Sequence, residues 1–504
     1  MPTWEEDMMQ ATCSSFGNEE EPLLGNMRQV IGISSQTLVD EKKSSRLPQY
    51  VAALIATIGG FVMGTVLAWT SPTSATLAIQ KDIAISDLEN SLIGGITNVG
   101  AMIGAAGGGL YCNFIGRKRG LMAIAIPSII GWCLIMWGDS VALIIAGRVV
   151  LGIVMGILTV LCPLFTTEIG ENSIRGTLGT YFQLQVTLGI FFDYVVGSNV
   201  TSVFYFSLIC AVLPLILAGL ITFMPETPQF YLIKRNEAAA RKSLQWYRGK
   251  NYDINDEITG MKATIEKVKE EKLSYREAFS STPAKRGLII GLGVMFFQQL
   301  SGINSVIFYS ADIFKAAGST MDAATCSMIV GGVQVVATYI STLIVDRLGR
   351  KPMLFGSAAV MALSTGALGI YFHLKIIESD VSNLSWLPVT SLSVFLIVFS
   401  LGFGPIPWMF LSEIFPPSIK GPATSIACLF NWLCSFAVTF SFKSINNAIG
   451  SDYTFWIFTA ISALGAVFVL CLIPETKGKS LEEIQKALGG NEPTDNRRNV
   501  ESKT

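Results

Sequence analysis

Apolar and polar residues alternate in long blocks along this chain. Twelve blocks are apolar and long enough to cross a membrane, at 50–71, 91–112, 120–138, 141–163, 177–198, 203–224, 287–310, 325–345, 353–373, 388–411, 422–443 and 453–473. A helix rises about 1.5 Å per residue, so about 20 such residues cross about 30 Å of hydrocarbon. Inside lipid every backbone polar group needs an internal partner, and a helix supplies it. The blocks at 177–198 and 325–345 are amphipathic, the first through Gln183, Gln185 and Asp193. That mixture predicts helices with one face on a polar cavity.

One sizeable polar interruption, 225–286, separates the first six blocks from the last six. Within it, 236–249 and 256–272 are rich in Ala, Glu and Lys and read as surface helices. The pattern predicts an all-α membrane protein with twelve transmembrane helices in two six-helix bundles. Residues 1–46 are expected as a cytosolic tail, 47–224 as the first bundle and 225–286 as an intracellular helical domain. Residues 287–476 are expected as the second bundle and 477–504 as a second cytosolic tail. The amino-terminal segment lacks the basic start and cleavage site of a signal peptide, so the first apolar block is expected to remain a span.

Charge fixes the orientation. Arg117, Lys118 and Arg119 follow the second block, Arg347, Arg350 and Lys351 follow the eighth, and the 225–286 interruption is rich in Lys and Arg. The alternate loops are nearly free of basic residues, which predicts both termini in the cytosol. The acceptor sequons at Asn199 and Asn383 then fall on the outer side, as candidate glycosylation sites.

Composition excludes several function classes. Only 14% of residues are charged against 51% hydrophobic, and the net charge is −1. No basic surface points to nucleic acid. The single histidine, His373, stands in a polar loop by this reading, which leaves no histidine metal site and no Ser-His-Asp triad. The nine cysteines form no CxxC pairs and lie mostly inside apolar blocks, as small buried residues do. No P-loop is present, so neither a nucleotide cofactor nor a primary pump is expected.

The two halves repeat one another. The run Gly116-Arg117-Lys118 recurs at Gly349-Arg350-Lys351. Glu168 with Arg175-Gly176 recurs as Glu413 with Lys420-Gly421, and Pro225-Glu226-Thr227 as Pro474-Glu475-Thr476. A duplicated six-span unit places a substrate site near the bilayer midplane, between the halves.

Taken in order, these motifs resemble the sugar porter family of the major facilitator superfamily over about residues 47–490. Gly147-Arg148, Pro225-Glu226-Thr227-Pro228, Gln298-Gln299-Leu300-Ser301-Gly302-Ile303-Asn304, Asp346-Arg347-Leu348-Gly349-Arg350-Lys351, Gly404-Pro405-Ile406-Pro407-Trp408 and Pro474-Glu475-Thr476-Lys477-Gly478 carry the likeness. Within the family the chain most resembles insect facilitated trehalose transporters. It is also similar to animal facilitative glucose transporters with an amino-terminal dileucine. The resemblance implies a sugar carrier working by alternating access, with no chemistry on its cargo.

A sugar hydroxyl is both donor and acceptor, so its site needs neutral amides and aromatic faces at membrane depth. A buried unpaired polar group costs about 1–3 kcal/mol, which makes intramembrane Gln298, Gln299 and Asn304 candidates by residue type. The resemblance assigns sugar contacts to the same three, and adds Gln183, Trp408 and Asn431. Interhelical bonding alone would also account for such amides. Gln334 stands where hexose-carrying relatives often have Asn, and Ser400 where several have Glu. Both departures leave the choice between trehalose and a hexose such as glucose open. Gly402, Gly404, Pro405 and Pro407 break the tenth block, as a gating hinge or as a static kink.

The family pattern places Val66 where proton-coupled relatives carry Asp, which favours uniport. Proton-coupled symport and a non-transporting sugar sensor are the alternatives. Asp193 is expected as a solvated residue near the outer end of its span. On the cytosolic side Arg117, Arg148, Glu168, Arg175 and Glu226 of one half, with Asp346, Arg347, Arg350, Glu413 and Glu475 of the other, are expected as an ion-pair network. Its pairs would close across the halves and break on opening inward. In the first half Asn113-Phe114 replaces the Asp-Arg of 346–347, so that latch is expected to be weaker. Glu19-Glu20-Glu21-Pro22-Leu23-Leu24 fits an acidic dileucine sorting signal. Leu23 and Leu24 imply a clathrin adaptor as partner and some endosomal or lysosomal membrane beside the plasma membrane.

Overall fold

The computed structural model describes residues 44–74, 76–171, 173–270, 279–318, 321–415, 419–477, 479 and 481–489. Leu23 and Leu24 lie outside these residues. Among them, 11 helices are long and apolar enough to span a membrane: Leu47–Thr73, Asp87–Ile115, Arg117–Trp137, Val141–Ile169, Val203–Ile221, Thr282–Phe308, Ala323–Val345, Arg350–Ile376, Ser382–Leu411, Pro422–Ile449 and Ser451–Leu472. Helix Arg175–Asn199 takes the fifth place and completes twelve. It falls short on apolarity because Gln183 and Gln185 sit in its middle.

Local chemistry sets the ends. The second span starts on a capping box, in which Ser86 accepts from the Glu89 backbone N–H and Glu89 accepts from that of Ser86. Close packing rests on small residues, as expected where lipid is as apolar as the helices themselves. A Cβ on Gly152 of the fourth span would lie 2.1 Å from the Thr97 carbonyl oxygen of the second. A Cβ on Gly189 of the fifth would lie 2.2 Å from the Phe61 oxygen of the first. Between the bundles, the second span lies along the eleventh and the fifth along the eighth.

The repeated motifs converge into one node per bundle, both on the side of the molecule that carries the linker. In the first bundle Glu226 accepts from the backbone N–H groups of Arg117 and Lys118, at the start of the third span. Arg117 donates to Glu168 at 2.8 Å, and Thr227 Oγ1 donates to the other oxygen of Glu168. In the second bundle Glu475 accepts from the N–H groups of Arg350 and Lys351, at the start of the ninth span. Arg350 donates to Glu413 at 3.0 Å, and Thr476 Oγ1 donates to Glu413 at 2.6 Å. A carboxylate at a helix amino terminus meets unpaired N–H groups and the positive end of the helix dipole. Gly116 and Gly349 turn the chain into these helices with φ of 103° and 93°, a region that favours glycine.

In this state no ion pair of the expected network joins the two bundles among the described residues. Each pair closes inside its own bundle. Arg175 donates to the Gly170 carbonyl at 3.2 Å, also within its bundle. Arg347 is exposed and its carbonyl accepts from Lys477, while the side chain of Asp346 lies outside the described residues.

Arg148 is not in this network at all. It sits near the opposite end of the fourth span, twenty residues and about 30 Å from Glu168. The fourth span runs from the far side towards the linker side, so its first third is remote from the linker. Arg148 is fully buried there, donating to the carbonyls of Ile93 at 3.1 Å and Val66 at 2.7 Å, and lies over the Trp69 ring.

The far side is also where the bundles bond to one another. Tyr194 donates to the Ile307 carbonyl at 2.9 Å, Thr70 Oγ1 to that of Phe308 at 3.5 Å, and Lys443 pairs with Asp87. The linker helices Pro228–Ile233, Glu237–Arg248 and Asn255–Glu270 dock on the first bundle, where Arg248 donates to the Ile169 carbonyl at 2.7 Å and Tyr247 to that of Pro225 at 2.8 Å. His373 is not in a loop. It occupies the last turns of the ninth span, with Nδ1 2.9 Å from Asp452 Oδ2.

Candidate functional site: a central amide cavity

Two helix breaks build the site. The seventh span stops at Leu300 and restarts at Ile303, with Gly302 at φ 92° between. The tenth stops at Leu401 and restarts at Ile406. Pro405 and Pro407 fall at the start of the second piece, where a missing N–H costs no helical bond. Such breaks free backbone groups that need other partners. Gln298 Nε2 takes two of them, donating to the carbonyls of Phe403 at 2.7 Å and Gly404 at 3.1 Å. Ser357 takes two more, donating to the Val398 carbonyl and accepting from the Phe403 N–H. The broken segment of the tenth span is therefore wired directly to Gln298.

All seven predicted contact residues line one cavity between the bundles: Gln183, Gln298, Gln299, Asn304, Gln334, Trp408 and Asn431. Gly404 lines it too. The first bundle contributes Met63, Leu67, Gln183, Val186 and Ile190. None of the lining side chains is charged. The cavity measures about 70 Å³, where a small-molecule site usually offers about 300–1,000 Å³.

The amides bond to each other across it. Asn431 donates to Gln298 Oε1 at 2.7 Å, Gln299 to Asn431 Oδ1 at 3.1 Å, and Asn304 to Gln299 Oε1 at 2.6 Å. Asn304 also donates to Ser435 Oγ. Exchanging an amide partner for a hydroxyl is nearly neutral, because one hydrogen bond replaces another. Among the described residues Gln334 Oε1 and Trp432 Nε1 have no partner. A buried acceptor and a buried donor on one cavity form a ready match for a hydroxyl.

Trp432 and Ser435 were not among the residues expected here. Both carry a sequence signal. Tryptophan normally gathers at membrane interfaces, and Trp432 lies mid-span. Ser435 is four residues after Asn431, on the same helix face.

Asp193 is not the solvated end residue that its place in the sequence suggests. It is fully buried, six residues and about 9 Å inside the end of its helix. Its near neighbour is Cys210 Sγ at 3.6 Å, its Oδ2 has no partner among the described residues, and it interacts through space with Arg148. Val66 presents only its carbonyl to that arginine.

Comparison with known proteins agrees with this architecture. The sugar (and other) transporter family matches residues 49–488. The chain is 39% identical over 451 residues to the facilitated trehalose transporter Tret1 of Culex quinquefasciatus, covering 88% of this chain and 86% of that one. It is 39% identical over 445 residues to the Bombyx mori transporter of the same name, covering 87% and 86%. In fold it is similar to the xylose transporter XylE from E. coli in a partially occluded inward open conformation, with a TM-score of 0.73, 23% identity, and coverage of 86% and 99%. With the family spanning both bundles and the cavity between them, this chain belongs to the sugar (and other) transporter family, is built on the major facilitator fold, and is a multi-pass membrane transporter rather than an enzyme.

Proposed function

We propose that the protein is a facilitative uniporter for trehalose or a hexose such as glucose, working by alternating access around the central cavity. One observation carries this reading. The cavity joins both bundles and is lined by neutral amides and tryptophans with no charged side chain, which suits a neutral polyol. Gln183, Gln298, Gln299, Asn304, Gln334, Trp408 and Asn431 bind its hydroxyls, and the Gly404-Pro405-Ile406-Pro407 break closes over it. The relatives' printed names favour trehalose as cargo.

In this reading the linker side is cytosolic, which the Lys and Arg placement supports. The state described is inward-facing, because the far side is bonded shut while the linker-side charges pair within their own bundles. Asn199 and Asn383 are both exposed on the outer side and serve as glycosylation sites. The carrier resides in the plasma membrane. Leu23 and Leu24 recruit a clathrin adaptor and send a fraction to endosomes or lysosomes.

Radiolabelled trehalose and glucose uptake into proteoliposomes, with and without a pH gradient, tests the assignment. Equilibration without accumulation is expected. A second reading, proton-coupled symport, is favoured by one observation, the buried Asp193 beside Arg148. It predicts accumulation that a protonophore collapses and that Asp193→Asn removes.

A further inference from the structure

A second cavity opens on the far side, and it is larger than the central one. It measures about 350 Å³, within the usual range of ligand sites. Ser74 and Asn90 come to it from the first bundle, and the rest of its wall from the second. We propose that this cavity is an external sugar-binding site at the outer gate. The proposal rests on the sugar-carrier reading above and adds a second place where the same class of cargo is held.

Its wall carries the two kinds of group that a sugar needs. The apolar part is aromatic: Tyr309 stacks on Phe442 at 5.5 Å and 19°, and Phe372 on Phe455 at 5.5 Å and 5°. Aromatic side chains suit the C–H face of a pyranose ring. The polar part includes the amides of Asn90, Asn446 and Asn447. Unlike the central amides, these have no side-chain hydrogen bond to protein among the described residues, and Asn447 is exposed. They are free to serve hydroxyls.

Charge argues for a neutral ligand. Asp312 lies within electrostatic reach of Lys315 and Lys443. Lys443 in turn pairs with Asp87 at 2.8 Å. Each charged side chain of the wall, Asp312, Lys315 and Lys443, has an opposite charge within reach, so no lone charge is left to select an anion or a cation. The polar wall disfavours a lipid tail.

Because both bundles line the cavity, a sugar lodged there braces the closed outer gate. High external sugar then slows its own uptake.

The test is equilibrium binding of radiolabelled trehalose and of glucose to the purified full-length protein. Four forms are compared: wild type, Gln299→Ala, Gln299→Ala with Ala316→Trp, and Gln299→Ala with Asn446→Ala and Asn447→Ala. Ala316 is exposed and lines the cavity, so tryptophan there fills it without removing a buried contact, and the melting temperature confirms folding. Wild type is expected to bind a second, weaker sugar that survives Gln299→Ala. Either added change should abolish it, and in a separate uptake measurement a fifth form, Ala316→Trp alone, should relieve the inhibition at high external sugar. Loss of all binding in Gln299→Ala alone would overturn the external site and leave the central one standing. So would a form carrying Gln299→Ala with Ala316→Trp that binds as many sugars, as tightly, as Gln299→Ala alone. Absence of sugar binding from wild type would overturn the sugar reading and the external site together.

Discussion

Lys443 Nζ of the eleventh span lies 2.8 Å from Asp87 Oδ1 of the second, an ion pair that joins the two bundles at the end of the molecule remote from the linker. Asp87 is 71% exposed and Lys443 28%, so water screens the attraction. Lys443→Met is expected to shift the carrier only modestly, by less than about fivefold, towards the outward-facing state. Labelling of a cysteine placed in the outer vestibule, read with and without the substitution, measures this. A shift of a hundredfold would mean the pair is the gate itself rather than one of several bonds closing it.

The neighbouring glutamines should fail differently. Gln299 bonds only to other amides of the cavity, so Gln299→Ala is expected to weaken sugar binding at least tenfold while folding is preserved. Gln298 also holds the Phe403 and Gly404 carbonyls. Gln298→Ala strands those carbonyls at about 1–3 kcal/mol, so it should lower the melting temperature as well as the affinity. Binding and thermal unfolding measured on both variants separate the two roles, and equal melting temperatures would count against the bracing role of Gln298.

Trp432 offers a cleaner probe of donor chemistry. Trp432→Phe keeps an aromatic ring and removes the unpartnered Nε1–H. A loss of about 1 kcal/mol, roughly fivefold in affinity, is expected for a neutral hydrogen bond. Sugars lacking one hydroxyl identify its partner, because one deoxy analogue should bind wild type and Trp432→Phe equally. If every analogue keeps the difference, the indole acts through packing alone.

Glu475 gives a pH-dependent prediction. Burial alone would raise its pKa, but the backbone N–H groups of Lys477, Arg350, Lys351 and Thr476 outweigh it and hold the carboxyl below the usual carboxylate range. A folded-state pKa below the unfolded one stabilises the fold above the ordinary value of about 4.3, and that stability disappears as pH falls through the folded pKa. Glu475→Gln should therefore lower the melting temperature near neutral pH. The difference from wild type should shrink below about pH 4. A constant difference across that range would point to shape rather than charge.

Gly302 tests the break in the seventh span. Its φ of 92° favours glycine, and a Cβ there would lie 2.7 Å from the Phe458 ring. Gly302→Ala is expected to cost about 1–3 kcal/mol and to reduce folded protein in the membrane. Wild-type yield and stability would show that the ring yields freely.

Much of this was legible from spacing. Apolar length located the spans, and the polar residues that line the central cavity were legible as amides in apolar surroundings plus a family likeness. What the sequence hid was direction and depth. Arg148 and Glu168 share a helix whose rise over twenty residues sets their charges about 30 Å apart, a depth difference that grouping residues by charge overlooks. Asp193 looked terminal because sequence counts residues to a helix end, whereas burial depends on what packs beside it. The repeated Glu226 and Glu475 were visible as charges, yet their partners are backbone N–H groups that no side-chain pattern announces. Trp432 was overlooked because one more aromatic in an apolar span resembles packing until its nitrogen is found without a partner.

The mutual pairing of Gln298, Gln299, Asn304 and Asn431 has a kinetic consequence. A carrier whose amides depended on cargo for their hydrogen bonds would stall on the return half of its cycle. Here the amides can release a sugar into one another's company, so the unloaded protein can reorient without stranding them. Net flux down a gradient should then run nearly as fast as one-for-one exchange, and the direction of flow is left to the concentrations on either side.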